Sequence, residues 1–192
     1  VISLRELVER LVHTAPRLIG IDGLPCSGKS TVAQHLCATL GAQCVALDDF
    51  VLPERLWPSR DTPAFPFQYI RYDEFLSVVR GLAAGRTCTF LPYNWRSDEL
   101  ASPRTVDCAA AVIVEGVSAL NPQIAHLYDV RLFVQSDHAS SCEAAIGRSG
   151  GKWADYWKTL FMPSVDLYML SSPEKRADLI VAGRGAMAGA QR

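Results

Sequence analysis

The stretch "GLPCSGKS", Gly23 to Ser30, fits the pattern G-x-x-x-x-G-K-[ST] without a gap. Before it, Leu18, Ile19, Gly20 and Ile21 read as a short buried strand. After it, Ala33, Leu36, Cys37 and Leu40 recur at helical spacing, and Gly41 stands where a helix stops. Strand, glycine-rich turn and helix in that order make an anion cradle. Gly23 and Gly28 permit backbone conformations that a Cβ hinders, so successive N–H groups can turn inward around phosphate oxygens at the positive end of the helix. The predicted nucleotide-binding residues are Gly23, Cys26, Ser27, Gly28, Lys29, Ser30 and Thr31. Lys29 brings a mobile charge to the β and γ phosphates, and Ser30 a hydroxyl ligand for Mg²⁺.

The chain has 192 residues and a formal net charge of −1. That length fits one core, so a single domain over residues 1–192 is the default expectation. No long basic run appears, so the electrostatic footprint of a nucleic-acid binder is missing and small-molecule chemistry is favoured. The six cysteines are scattered, without a C-x-x-C pair or a His cluster at zinc spacing, and predict reduced thiols. Cys26 lies beside loop N–H dipoles and Lys29, which would favour its thiolate and its oxidation; the plainer reading is a small residue that fits the loop. No apolar run approaches the ~20 residues that span a bilayer, and the N-terminus lacks a signal-peptide plan. A soluble, cytoplasmic protein with no membrane partner is therefore expected.

Outward from the loop, Leu4, Leu7, Val8, Leu11 and Val12 share one face of an opening helix, and Ser3 with Glu6 forms an S-x-x-E capping box at its start. "AQCVALDDF" gives a second apolar run ending in Asp48 and Asp49. Phe75, Val78, Val79 and Leu82 mark a helix closed near Gly85. "AAAVIVEG", Ala109 to Gly116, reads as a strand buried on both faces and ends on Glu115. "YDVRLFV" (Tyr128 to Val134) and "ADLIVAG" (Ala177 to Gly183) add two strands, with helical stretches at Cys142 to Gly147 and Trp153 to Tyr168 between them. The predicted fold class is α/β: a doubly wound, mainly parallel five-stranded sheet with flanking helices and the ligand at the carboxyl ends of its strands. Pro53, Pro58, Pro63 and Pro66 make residues 50–72 an irregular loop, of a length that often carries function. The small-residue tail after Gly183 is expected to fray.

In order along the chain, "GLPCSGKST", "LDDF", "DTP", "LPYNW", "VIVEGV", "LYDVRLFV" and "RADLIV" resemble the uridine kinase family of P-loop kinases, over most of the span from Ile19 to Val181. The resemblance implies ATP as phosphoryl donor, Mg²⁺ as cofactor and the hydroxyl of a small molecule, a nucleoside first, as acceptor. It makes Asp48 the carboxylate that receives the acceptor proton; a strand end near the phosphates suits that work, with Asp49 as runner-up and a turn cap as the plainer alternative. It makes Glu115 a Mg²⁺ ligand, directly or through water, against a purely structural carboxylate. Asp61 in "DTP" would bind sugar hydroxyls, and Tyr93 and Trp95 would stand beside the nucleoside, with loop packing the alternative for all of them. Asn94 stands where the family has an Asp. Acceptor-binding loops are expected at about residues 50–72 and 87–100, and a lid at about 148–158. That lid is poor in arginine: Arg148 is the catalytic candidate, Lys152 and Lys158 are the other cations, and Ala144 and Ala145 replace arginines. A P-loop kinase for another metabolite or an antibiotic, a non-catalytic nucleotide-binding regulatory module, GTP as donor and assembly with a second copy of the chain stay open at this point.

Overall fold

The computed structural model describes residues 1–184. The chain opens with α1 (Leu4–Thr14), β1 (Leu18–Gly23), α2 (Lys29–Leu40) and β2 (Gln43–Ala46). After the Pro-containing loop come α3 (Tyr72–Ala83), β3 (Cys88–Phe90), β4 (Tyr93–Asn94), β5 (Glu99–Leu100), β6 (Arg104–Val106) and β7 (Val112–Glu115). The last part holds β8 (Val130–Gln135), α4 (His138–Arg148), α5 (Ala154–Tyr156), a π turn (Trp157–Phe161), α6 (Met162–Met169) and β9 (Leu179–Ala182). The main sheet has five strands in the order β2-β7-β1-β8-β9, and all its pairings are parallel. The doubly wound α/β expectation holds.

Alternation along the strands divides the core. Leu18, Val112, Val114 and Val45 join Phe75, Val79 and Leu82 of α3 on one face. Ile19, Ile21, Ile113 and Leu132 join Leu7 and Leu11 of α1 and Val32 and Leu36 of α2 on the other. Successive side chains of a strand point to opposite faces, so a parallel sheet covered on both sides needs continuous apolar runs of this kind. Both capping-box bonds at Ser3 and Glu6 form. Val12, expected on the apolar face of α1, is 57% exposed, since Leu7 and Leu11 already meet the core and Val12 points away from it.

The strand expected from Ala109 begins only at Val112, because β1 and β2 both start their pairing with it there. Ala109 instead closes a turn, its N–H donating to Asp107 Oδ1 at 2.9 Å. Two small antiparallel pairs form, β3 with β6 and β4 with β5, and β3, β4 and β5 fall in the region 87–100 read from sequence as acceptor loop. The fraying expected of the tail lies outside the described residues from 185 onward. No helix among the described residues is long and apolar enough to cross a membrane.

Candidate active site

The sheet order leaves β1 in the centre, and the phosphate loop springs from its carboxyl end between β7 and β8. Gly28 caps α2 with φ 106°, and the space beside it is open, so backbone can approach a ligand there. Ser27 Oγ is buried with no hydrogen-bond partner among the described residues. A cradle with an orphaned hydroxyl fits an anion that would supply the missing partner. Lys29 is 6% exposed and its Nζ donates to the Leu24 carbonyl at 2.7 Å. Burial pushes its ammonium below the ordinary lysine range, against the opposing pull of Glu115, Asp22 and Asp48.

Ser30 Oγ donates to Glu115 Oε1 at 2.9 Å, joining the start of α2 to the end of β7. Desolvation raises the Glu115 carboxyl, and Lys29 works in the other direction. This hydroxyl and carboxylate form an oxygen pair suited to a hard cation that keeps ligands from phosphates and water. Among the described residues no group of three or more His, Cys, Asp or Glu side chains has metal-binding geometry.

A cavity of about 760 Å³ runs from this loop to Trp57 and Tyr69 of the Pro-containing loop and to Trp95 after β4. Cys26, Gly28, Lys29, Ser30, Thr31, Asp48, Glu115, Arg148 and Trp95 all line it. Asp48 is exposed, whereas Asp49 is half-buried and pairs with Arg104 at 3.1 Å. Of the two neighbouring carboxylates, Asp48 is therefore the one on the cavity. Ala144 and Ala145 also line it, one turn before Arg148 on α4.

Other sequence candidates sit elsewhere. Asp61 lies in an exposed turn held by Thr62 Oγ1 to the Ser59 carbonyl, and it does not line the cavity. Tyr93 is buried, its hydroxyl donating to Asp98 Oδ1 at 2.7 Å, and its ring packs edge-on against Trp95. Asn94 Oδ1 accepts from the N–H of Arg96 and Ser97, closing the β4–β5 hairpin. Lys152 binds Glu54 at 2.6 Å.

Two residues that sequence reading missed belong to the site's frame. Asp22, in β1, is fully buried and accepts from the N–H groups of Gly23, Ser118 and Leu120 and from the Tyr168 hydroxyl. Its signal was present, a lone carboxylate inside an apolar strand. Arg184, just past β9, lines the cavity, with its N–H on the Ser27 carbonyl at 3.0 Å and Nε on the Cys26 carbonyl at 3.3 Å. No local pattern announces it, because the contact crosses nearly the whole chain.

No family model matches the chain. It is 26% identical over 181 residues to uridine-cytidine kinase A of Dictyostelium discoideum, covering 86% of this chain and 36% of that protein. It is 27% identical over 189 residues to uridine kinase-like protein 5 of Arabidopsis thaliana, covering 88% of this chain and 40% of that one. The chain thus spans well under half the length of these curated relatives. A structure described as a possible uridine kinase from Bacillus stearothermophilus superposes with a TM-score of 0.66 at 22% identity, over 93% of this chain and 98% of its own. The curated relatives are uridine kinase-like, and the fold is that of the uridine kinase-like P-loop structure.

Proposed function

We propose that this chain is one P-loop kinase domain that moves the γ-phosphate of ATP, with Mg²⁺, to a hydroxyl of a small molecule. The observation that carries the proposal is the meeting of Lys29, the Ser30–Glu115 pair and Asp48 on one cavity. A regulatory binder would need the cradle but no free carboxylate facing an acceptor space. The similarity to uridine kinases puts a nucleoside first among acceptors. Another small metabolite or an antibiotic is the second reading, favoured by the position of Asp61 outside the cavity.

Gly28 and its neighbours would hold the phosphates with backbone N–H groups, and Ser30 and Glu115 would hold the metal. Magnesium, when bound, would shield the phosphate charge that repels an incoming hydroxyl. Asp48 would orient the acceptor hydroxyl and take its proton as the new O–P bond forms and the bond to the departing ADP breaks. Lys29 and Arg148 would offset the charge on the transferring group. With only Arg148 on the cavity from the lid region, this support is thinner than in an arginine-rich lid.

General-base catalysis contributes ~10² to 10⁴ in rate, so Asp48→Asn is expected to lower turnover by about that range with ATP affinity nearly unchanged. An ADP-release assay beside ATP calorimetry checks this; a near-normal rate removes Asp48 from the role.

A further inference from the structure

The small β3–β6 sheet stands apart from the five-stranded core, and none of its residues lines the cavity. It nevertheless sends one side chain to the edge of the site. Arg104, the register partner of Phe90 across this sheet, donates from Nη1 to Asp49 Oδ2 at 3.1 Å and from Nη2 to the Cys44 carbonyl of β2. Its guanidinium therefore spans the end of β2 and the turn that follows.

That turn is a single 3-10 turn, Leu47–Phe50, and it carries Asp48. It starts beside Glu115, since Ala46 is the register partner of Glu115 in the β2–β7 pair. The Asp49 carboxylate also accepts from the Ala46 N–H at 3.3 Å, which closes the turn on itself. On the other side Arg71, at the start of α3, donates from Nη2 to the Asp49 carbonyl at 2.9 Å and to the Leu91 carbonyl at 2.5 Å. Two aromatic rings fill the space between the arginines. Arg71 lies 5.5 Å from the Phe50 ring centroid, Phe50 and Phe90 stack at 4.8 Å, and Arg104 lies 5.8 Å from the Phe90 centroid.

Asp49 is thus held at its carboxylate by Arg104 and at its carbonyl by Arg71, while the neighbouring Asp48 carboxylate is exposed on the cavity. The aim of Asp48 follows from how the turn is held. Burial raises the Asp49 carboxyl and Arg104 works against that rise, so the arginine keeps a charge where the turn needs one and offsets its repulsion of Asp48. A planar guanidinium suits this task because its fork reaches two acceptors at once, and an ammonium does not. A misplacement of about 1 Å at a reacting group can cost ~10² in rate.

We propose that Arg104 is a positioning residue for phosphoryl transfer, which fixes the turn Leu47–Phe50 through Asp49 and Cys44 so that the Asp48 carboxylate meets the acceptor hydroxyl. This deepens the phosphotransferase reading and rests on the role given there to Asp48. Arg104 does not line the cavity, so its influence on the rate passes through Asp48.

A double-variant cycle tests it. Single-turnover transfer from ATP with Mg²⁺ to uridine is compared for wild type, Arg104→Met, Asp48→Asn and the two changes together, with the affinity of a non-hydrolysable ATP analogue measured by calorimetry; if uridine is not accepted, the first hydroxylated metabolite that is accepted takes its place. Arg104→Met is expected to slow transfer by about tenfold or more with analogue affinity within about twofold, and to cost less than about twofold further once Asp48 is Asn, because the group it aims is already gone. Arg104→Lys is expected to fall between wild type and Arg104→Met, and it carries the same cycle should the methionine variant fail to fold. Losses that multiply in the double variant, a normal rate in both Arg104 variants, or analogue affinity falling in step with the rate overturns the proposal. A near-normal rate in Asp48→Asn withdraws the base assignment and this inference with it, whereas a slow Asp48→Asn beside an unaffected Arg104→Met discards the positioning role alone. Wild-type protein that transfers phosphate to no acceptor removes the phosphotransferase reading and this inference together.

Discussion

Asp22 is the residue on which the site's frame turns. It leaves the central strand one residue before the phosphate loop and fastens the segment after β7 through the N–H groups of Ser118 and Leu120. Complete burial raises its carboxyl above the ordinary aspartate value of 3.8, and its hydrogen bonds from Tyr168, Leu120, Gly23 and Ser118 work in the opposite direction. A folded-state pKa above the unfolded one means the native protein holds the proton more tightly. Its favourable contribution is thus fully present below the unfolded value and is lost as pH rises through the folded one. Denaturant titrations at several pH values are expected to show wild-type stability declining across that window relative to Asp22→Asn, whatever the offset between the two proteins. Parallel pH profiles would show that Asp22 titrates alike folded and unfolded.

Between elements, the decisive approach is that of the β9 terminus to the phosphate loop. A Cβ on Gly183 would collide with the backbone carbonyl oxygens of Ser27 and Gln135, neither of which can swing aside as a side chain does. Overpacking of this kind costs about 1–3 kcal/mol, and here part of it falls on the loop's shape. Gly183→Ala is expected to lower the thermal midpoint and weaken ATP binding together; calorimetry showing normal ATP affinity would separate the β9 terminus from the loop. Arg184 follows directly and donates to the Ser27 and Cys26 carbonyls, so the strand end acts as a brace for the cradle. The segment from Lys152 to Phe161 is braced differently, by aromatic packing and the Lys152–Glu54 and Arg60–Asp155 pairs. Exposed ion pairs of this sort contribute little each, and the indole contacts carry more.

Across the whole molecule, Tyr168 joins α6 to β1 through Asp22, and Arg176 continues the link to the Leu120 and Ser171 carbonyls. Three segments distant in sequence thus share one buried polar network. Removing the phenol hydroxyl leaves a buried carboxylate short of a donor, a loss of about 1–3 kcal/mol. For a chain of this size each kcal/mol moves the thermal midpoint by about 2–4 °C, so Tyr168→Phe is expected to unfold several degrees earlier. An unchanged midpoint by calorimetry would show that water replaces the hydroxyl.

What the sequence determined by itself is what neighbouring residues encode. The continuous apolar runs of β1, β7 and β8, the helical spacing of α1 to α3, the Ser3–Glu6 cap and the contiguous phosphate loop each lie within a few residues of chain, where periodicity and local hydrogen bonding leave a readable mark. The parallel five-stranded sheet followed from them, but its order β2-β7-β1-β8-β9 came only from the structure. Only the tertiary structure decided which of Asp48 and Asp49 faces the cavity, because Arg104 arrives from β6 to take Asp49. The same holds for Asp61, which a short motif suggested for the acceptor but which the folded loop carries outside the cavity. Arg184 and the partners of Asp22 were hidden because their hydrogen bonds cross long stretches of sequence: parallel crossovers bring the segments after β7 and β9 to the end of β1, and Tyr168 arrives from α6.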